Sequence, residues 1–181
     1  MAEPLHSSPA LAQAVGSDDP RLDGHGVTLR QAPVAAQVIV RAAPEHARRL
    51  GLPAEPNRIA RAEDARAIWL GPDRWLVVSQ DDAAPLLARY APEAHDVSDQ
   101  FAVLDIAGPS ARRLLAAACG LDLHPAAFPE GIAAQTLGAH VDVLLYRIGA
   151  DAFRLHVDRS VARHLWSWFA ELVMESDALD P

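Results

Sequence analysis

Three histidines near the end of the chain offer the most suggestive chemistry: His140 opens a stretch of alternating apolar residues, and His156 and His164 flank the start of a helical run. Neutral imidazole is a common zinc ligand, so three of them could in principle build a metal site. Their spacing matches no zinc motif, and neither a Cys pair nor an HExxH pattern accompanies them. Surface and hydrogen-bonded loop positions are the better reading. Ser98, Ser110 and Ser160 stand outside any GxSxG context: Ser160 reads as a helix N-cap, and Ser98 with Asp96 and Asp99 as a turn before a strand. All 16 basic residues are arginine, which excludes Schiff-base and P-loop lysine chemistry, and Gly-rich phosphate-binding patterns are missing too. The single Cys119 lies in the apolar "LLAAACGL" and is expected to pack rather than react. The residues thus assign no catalytic, cofactor-binding or metal site.

Charge narrows the partners. A net charge of −8 without any basic block leaves little attraction for a phosphate backbone, so nucleic acid is not expected as a partner. No apolar run approaches the ~18 residues of a membrane span, and "MAEPLHSSPALAQAV" lacks the basic and apolar regions of a signal peptide, so the expectation is a cytoplasmic protein with no membrane association. With 181 residues, half of them hydrophobic, the chain can bury one good core.

The elements that position these residues follow from periodicity and punctuation. Residues 1–25 are rich in Ala, Ser, Pro and Asp without sustained period and read as a flexible N-terminal arm; 26–181 reads as a single domain. "GVTLRQ" and "AAQVIVRA" are strands, and "PEHARRLGL" is a helix with Pro44 in its first turn and Gly51 at its end. "NRIARA", "ARAIWL" and "RWLVVS" are strands, and "DDAAPLLARYAP" is a helix. The order then returns: strand "QFAVLDIA", helix "GPSARRLLAAACG", strands "IAAQTL", "HVDVLLYRI" and "AFRLHV", and a helix from about Ser160 to Glu175.

The chain therefore divides into two pseudo-repeats, 26–94 and 95–175, each β-α-β-β-β-α. "ARRL" occurs in both, and Gly-x-Asp-x-aromatic recurs at Gly71/Asp73/Trp75 and Gly149/Asp151/Phe153. The fold class expected is α+β with two antiparallel sheets. One half alone leaves apolar surface bare; two related halves can complete a core. In each hairpin the glycine is expected to supply unusual backbone angles.

"LPAEPNRIARAEDARAIWLGPDRWLVVS", "LDLHPAAFPEGIAAQTLGAHVDVLLYR" and "FRLHVDRSVARHLWSWFAEL" resemble the gamma subunit of heterotetrameric sarcosine oxidase, from about Gly26 to Glu175. More distantly, "DVSDQFAVLDIAGPSARRLL" and "VDVLLYRIGADAFRLHV" resemble the folate-binding aminomethyltransferase domain of the glycine-cleavage T-protein and its relatives, a likeness of fold rather than activity. The closer resemblance implies a non-catalytic subunit whose partners are the alpha, beta and delta subunits. It also implies that NAD, FAD, FMN, zinc and tetrahydrofolate sit on those subunits, with none bound by this chain. The complex would oxidise sarcosine to glycine and hydrogen peroxide and trap the one-carbon unit as methylenetetrahydrofolate. A free-standing folate-binding protein or one-carbon transferase of the T-protein type is the alternative.

Two residues carry what remains of a site. A T-protein-like transferase would present paired acids in a motif like "IDDLIVYR"; here "HVDVLLYR" keeps Asp142, and Val141 replaces the other acid. Asp142 is a vestigial folate-site candidate, although an Asp in an alternating strand more commonly faces water. In the last helix Val161, Leu165, Trp168, Phe169 and Leu172 form a stripe that Ala162, Trp166 and Val173 widen. That helix either fills a groove between the halves or points Trp166 at another subunit, as a possible partner contact.

Overall fold

The structure, a computed structural model, describes residues 11, 17, 19–32, 36–62 and 65–175. In chain order the strands and helices are β1 (Arg21–Gly24), β2 (Val27–Gln31), β3 (Gln37–Arg41), α1 (Pro44–Arg49), β4 (Ile59–Ala62), β5 (Ala65–Gly71), β6 (Arg74–Ser79) and α2 (Ala83–Tyr90). There follow β7 (Ala94–Asp96), β8 (Phe101–Ala107), α3 (Ala111–Ala118), β9 (Ala133–Gly138), β10 (Val141–Gly149), β11 (Ala152–Asp158), a short 3-10 turn at Arg159–Val161, and α4 (Ala162–Met174).

Two antiparallel sheets result, ordered β4-β5-β6-β3-β7 and β1-β2-β8-β11-β10-β9. The repeat is therefore real at the level of topology. β3-α1-β4-β5-β6-α2 matches β8-α3-β9-β10-β11-α4, and in each sheet the four repeat strands lie in the same spatial order. The hairpins agree in detail as well. β5–β6 shifts register between Trp69 and Gly71, and β10–β11 shifts between Arg147 and Gly149, the same two positions of the repeat. Neither glycine has a positive φ. Their role is to admit a β-bulge, which bends and twists the ribbon, not to supply a left-handed turn.

The remaining strands cross between the halves. β2 precedes the first repeat in sequence yet pairs with β8 of the second, and β7 follows the first repeat's last helix yet pairs with β3. The divisions expected at 25/26 and at 94/95 cut across this pairing. The arm expectation is corrected for the residues described: Arg21–Gly24 is a strand bonded to β2, and Leu11 is fully buried, its N–H donating to Gln31 Oε1 at 3.2 Å. The rest of the expected arm lies outside the described residues.

Burial on both faces explains why the strands are nearly continuous in apolar residues. In β6, Trp75 and Val77 face α1 and α2, whereas Leu76 and Val78 face the other sheet. In β10, Val143 and Leu145 pack toward α3 and α4, whereas Leu144 and Tyr146 point inward. The layers are thus helices, five-stranded sheet, six-stranded sheet, helices. Each fully buried large side chain of this kind contributes about 1.5–3 kcal/mol. Trp75 also satisfies its indole, with Nε1 donating to Pro53 O at 2.8 Å.

The last helix is placed differently from either expectation. α4 lies on the outer face of the six-stranded sheet, against β1, β2 and α3, not between the halves. Its buried stripe is Ala162, Leu165, Trp166, Phe169 and Val173, while Trp168 and Leu172 are half-buried. Trp166 is 6% exposed and belongs to this core. The partner-contact expectation is corrected accordingly, because an indole so covered by its own chain offers no surface.

Candidate functional site

Between the sheets the apolar layer is interrupted by a buried polar chain. Gln37, at the start of β3, directs its side-chain Nε2 at two carbonyls, Phe101 O at 3.0 Å and Ser98 O at 3.3 Å. Its amide oxygen therefore faces His156 Nδ1, 2.8 Å away, and must accept from it. With the proton on Nδ1, Nε2 accepts from the Tyr146 hydroxyl at 3.0 Å. His156 is 3% exposed; burial first, and then the nearby Arg154 guanidinium, push its pKa down to about 3, so it is neutral near pH 7. Burial pushes the Tyr146 phenol up to about 12. Both groups are held in single states by groups of the same chain.

Beside them Asp105, 2% exposed, receives Arg154 bidentately at 2.7 and 2.9 Å and Arg30 at 2.9 Å. Burial works against the charge on Arg154, but the hydrogen bonds and charge of Asp105 outweigh it and hold the guanidinium's pKa above its ordinary value. The adjacent turn is tied in by Ser98, which donates its hydroxyl to Asp96 Oδ1 at 2.6 Å and accepts from Gln37 N at 3.0 Å.

The two sheets also enclose an open cleft of about 840 Å³. Arg41, Arg74 and Leu76 line it from the five-stranded sheet; Asp142 and Leu137, cross-strand partners on β10 and β9, line it from the other. Asp142 is exposed, and Val141, the other position of the sequence motif, packs partly against the opposite face. Neighbouring strand residues point to opposite sides, so positions 141 and 142 serve different surfaces. This cleft can hold a ligand or a peptide by charge and apolar contact. Of the two imidazoles that line it, His95 and His156, the latter has both nitrogens engaged.

The other residues raised by the sequence are scattered. His140 is exposed in the β9–β10 turn with φ 70, and His164 Nε2 lies 3.1 Å from Ala139 O. Among the described residues no group of three His, Cys, Asp or Glu side chains is placed to hold a metal ion. Ser160 does not cap the last helix. Asp158 caps the 3-10 turn that precedes it, accepting from Ser160 N at 2.9 Å and from its hydroxyl at 2.6 Å. Cys119 is half-buried, and burial pushes its thiol pKa up. Arg147, by contrast, was unmarked in the sequence. It is 4% exposed, stacks 4.7 Å from the Phe153 ring centroid, and donates to Phe128 O at 3.1 Å, Leu123 O at 2.9 Å and Ala150 O. It pins the 120–131 loop by its backbone carbonyls, beside the anchorage that Leu123 and Phe128 find in the core.

Among the described residues no helix is long and apolar enough to cross a membrane. The glycine-cleavage aminomethyltransferase T of Bartonella henselae has a similar fold, with TM-score 0.54 and 18% identity over 74% of this chain and 42% of that one. A chain of the heterotetrameric sarcosine oxidase from Corynebacterium sp. U-96, in complex with pyrrole 2-carboxylate, is far more alike: TM-score 0.79 and 29% identity, covering 98% of this chain and 99% of that one. The sarcosine oxidase gamma subunit of Corynebacterium sp. (strain U-96) is 30% identical over 97% of this chain and 94% of its own length. That of Corynebacterium sp. (strain P-1) is 34% identical over 82% and 81%. A family model described as sarcosine oxidase, gamma subunit family, matches residues 33–175. The chain belongs to the sarcosine oxidase gamma subunit family.

Proposed function

We propose that this chain is a non-catalytic subunit of a cytoplasmic heterotetrameric sarcosine oxidase, and that it supports assembly alongside alpha, beta and delta subunits. In this reading those subunits hold NAD, FAD, FMN, zinc and tetrahydrofolate, and the complex oxidatively demethylates sarcosine to glycine with hydrogen peroxide and methylenetetrahydrofolate. The observation that carries it is the match along nearly the whole length of a chain in a solved heterotetrameric sarcosine oxidase. The internal chemistry agrees: Gln31, Gln37, Asp105, Arg147 and His156, the buried polar residues of the sheets, find partners within the chain. Such groups hold a scaffold in register and are poorly disposed to turn over a substrate.

The test is co-expression of the four subunits with a tag on this one. Flavin-bearing chains should co-purify with it, and the complex formed without it should lose yield or sarcosine-dependent peroxide production. Purification of the tagged chain alone in the presence of the other three would refute the reading. The cleft between the sheets keeps one alternative in play, a folate-binding protein of the aminomethyltransferase type. Calorimetry with tetrahydrofolate separates the two, since an absence of heat at high micromolar concentration removes it.

A further inference from the structure

Like charges directly opposite each other on neighbouring strands repel. Among the described residues three such arginine pairs occur: Arg21 with Arg30, Arg61 with Arg66, and Arg41 with Arg74. The first is relieved on both sides, by Asp23 at 2.8 Å and Asp105 at 2.9 Å, and the second by Glu130 on Arg61 at 3.1 Å. The third is not. Among the described residues no carboxylate lies within ion-pair distance of Arg41 or Arg74, although the protein as a whole carries a net charge of −8. This pair faces into the cleft, and Leu137, 56% exposed, stands on the cleft's other wall.

We propose that the Arg41/Arg74 wall is a docking surface for an acidic segment of a partner subunit, whose carboxylate bridges the two guanidiniums while an adjacent apolar side chain covers Leu137. Paired guanidiniums present forked donors suited to a carboxylate, and an anion between them removes the repulsion that the isolated chain bears. A large exposed leucine beside that charge favours a macromolecular occupant over a small anion, because a partner chain covers both at once. The inference rests on the assembly role proposed above and names the surface that serves it.

The test uses the four co-expressed subunits and compares the wild-type chain with the Arg41→Ala/Arg74→Ala double variant and with Leu137→Ser. The double variant should fold with an unchanged or slightly higher Tm, since repulsion is removed, and bind the other subunits at least tenfold more weakly. Affinity of the wild type should fall steeply with salt, and that of the double variant should not. Leu137→Ser should weaken assembly without altering the salt dependence. Wild-type affinity in the double variant overturns this inference and leaves the assembly role standing, whereas failure of the wild-type chain itself to co-purify overturns both. If the isolated chain binds citrate in the micromolar range and loses it in the double variant while assembly is unaffected, the cleft is a small-anion site and the docking surface is refuted.

Discussion

The Tyr146 hydroxyl and His156 Nε2 lie 3.0 Å apart, with their rings stacked at a centroid separation of 5.6 Å on adjacent strands of one sheet. The other imidazole nitrogen reaches Gln37 of the opposite sheet. One neutral side chain is thus among the fastenings between the two halves of the repeat.

That fastening should be sensitive to acid. The folded-state pKa of His156 is about 3, below the ordinary 6.5, so the unfolded chain binds more protons between those values. His156 therefore makes stability fall as pH drops through that window, by up to about 1.4 kcal/mol per pH unit, and contributes no slope above it. Urea unfolding of His156→Gln across pH 3–7 should show this slope removed. At pH 7 the variant should be less stable by about 1–3 kcal/mol, because Tyr146 and Gln37 lose a partner.

Asp105 neutralises two arginines from a nearly inaccessible position. Asp105→Ala should cost about 3–5 kcal/mol, since Arg154 would be left as an uncompensated, largely buried cation. Asp105→Ala/Arg154→Met should cost clearly less than Asp105→Ala. A double-variant loss equal to the sum of the Asp105→Ala and Arg154→Met losses in chemical denaturation would show that the pair is not coupled.

Arg147 should govern the 120–131 loop without governing the sheets. Arg147→Met keeps the packing on Phe153 but abandons the carbonyls of Leu123, Phe128 and Ala150. Hydrogen exchange is expected to accelerate in this loop and to remain unchanged in β3 and β6. Uniform acceleration throughout the chain would contradict this.

Gly108 marks a close approach of backbones. Its φ is +121, and a Cβ there would sit 2.3 Å from Gly26 O, against backbone that cannot swing away. Gly108→Ala should lose at least about 3 kcal/mol or fail to fold. Gly120→Ala, where a Cβ meets nothing within 4 Å, provides the control and should change Tm little.

The repeat was legible because its signals are local: short apolar runs such as "AIWL" and "RWLVV" bounded by turns, and a Gly-x-Asp-x-aromatic hairpin written twice. β1 and β7 escaped notice because "RLDG" and "AHD" are short and polar; β2 and β3 impose their strand conformation by pairing. Gln37 and His156 are 119 residues apart, and each alone resembles a surface residue. Arg41 and Arg74 likewise meet through the β6–β3 adjacency of the sheet, which spacing does not encode. For Trp166 the period was right but the centre of the stripe was not, because α4 packs across β2 and also across β1, a strand that the sequence had left out of the fold.

The sheets are joined by the bonds of Gln37 to His156 and to Phe101 O, by Gln135 Nε2 donating to Leu70 O at 3.0 Å, and by the backbone bridge between Arg58 and Ile132, which Ile59 N and Ala133 N flank with bonds to Gly131 O and Asn57 O. A sandwich riveted at several points cannot gape or close freely, so the width of its opening is set before anything arrives. Whatever enters meets a rigid mould, and little of its adhesion is spent on ordering the host.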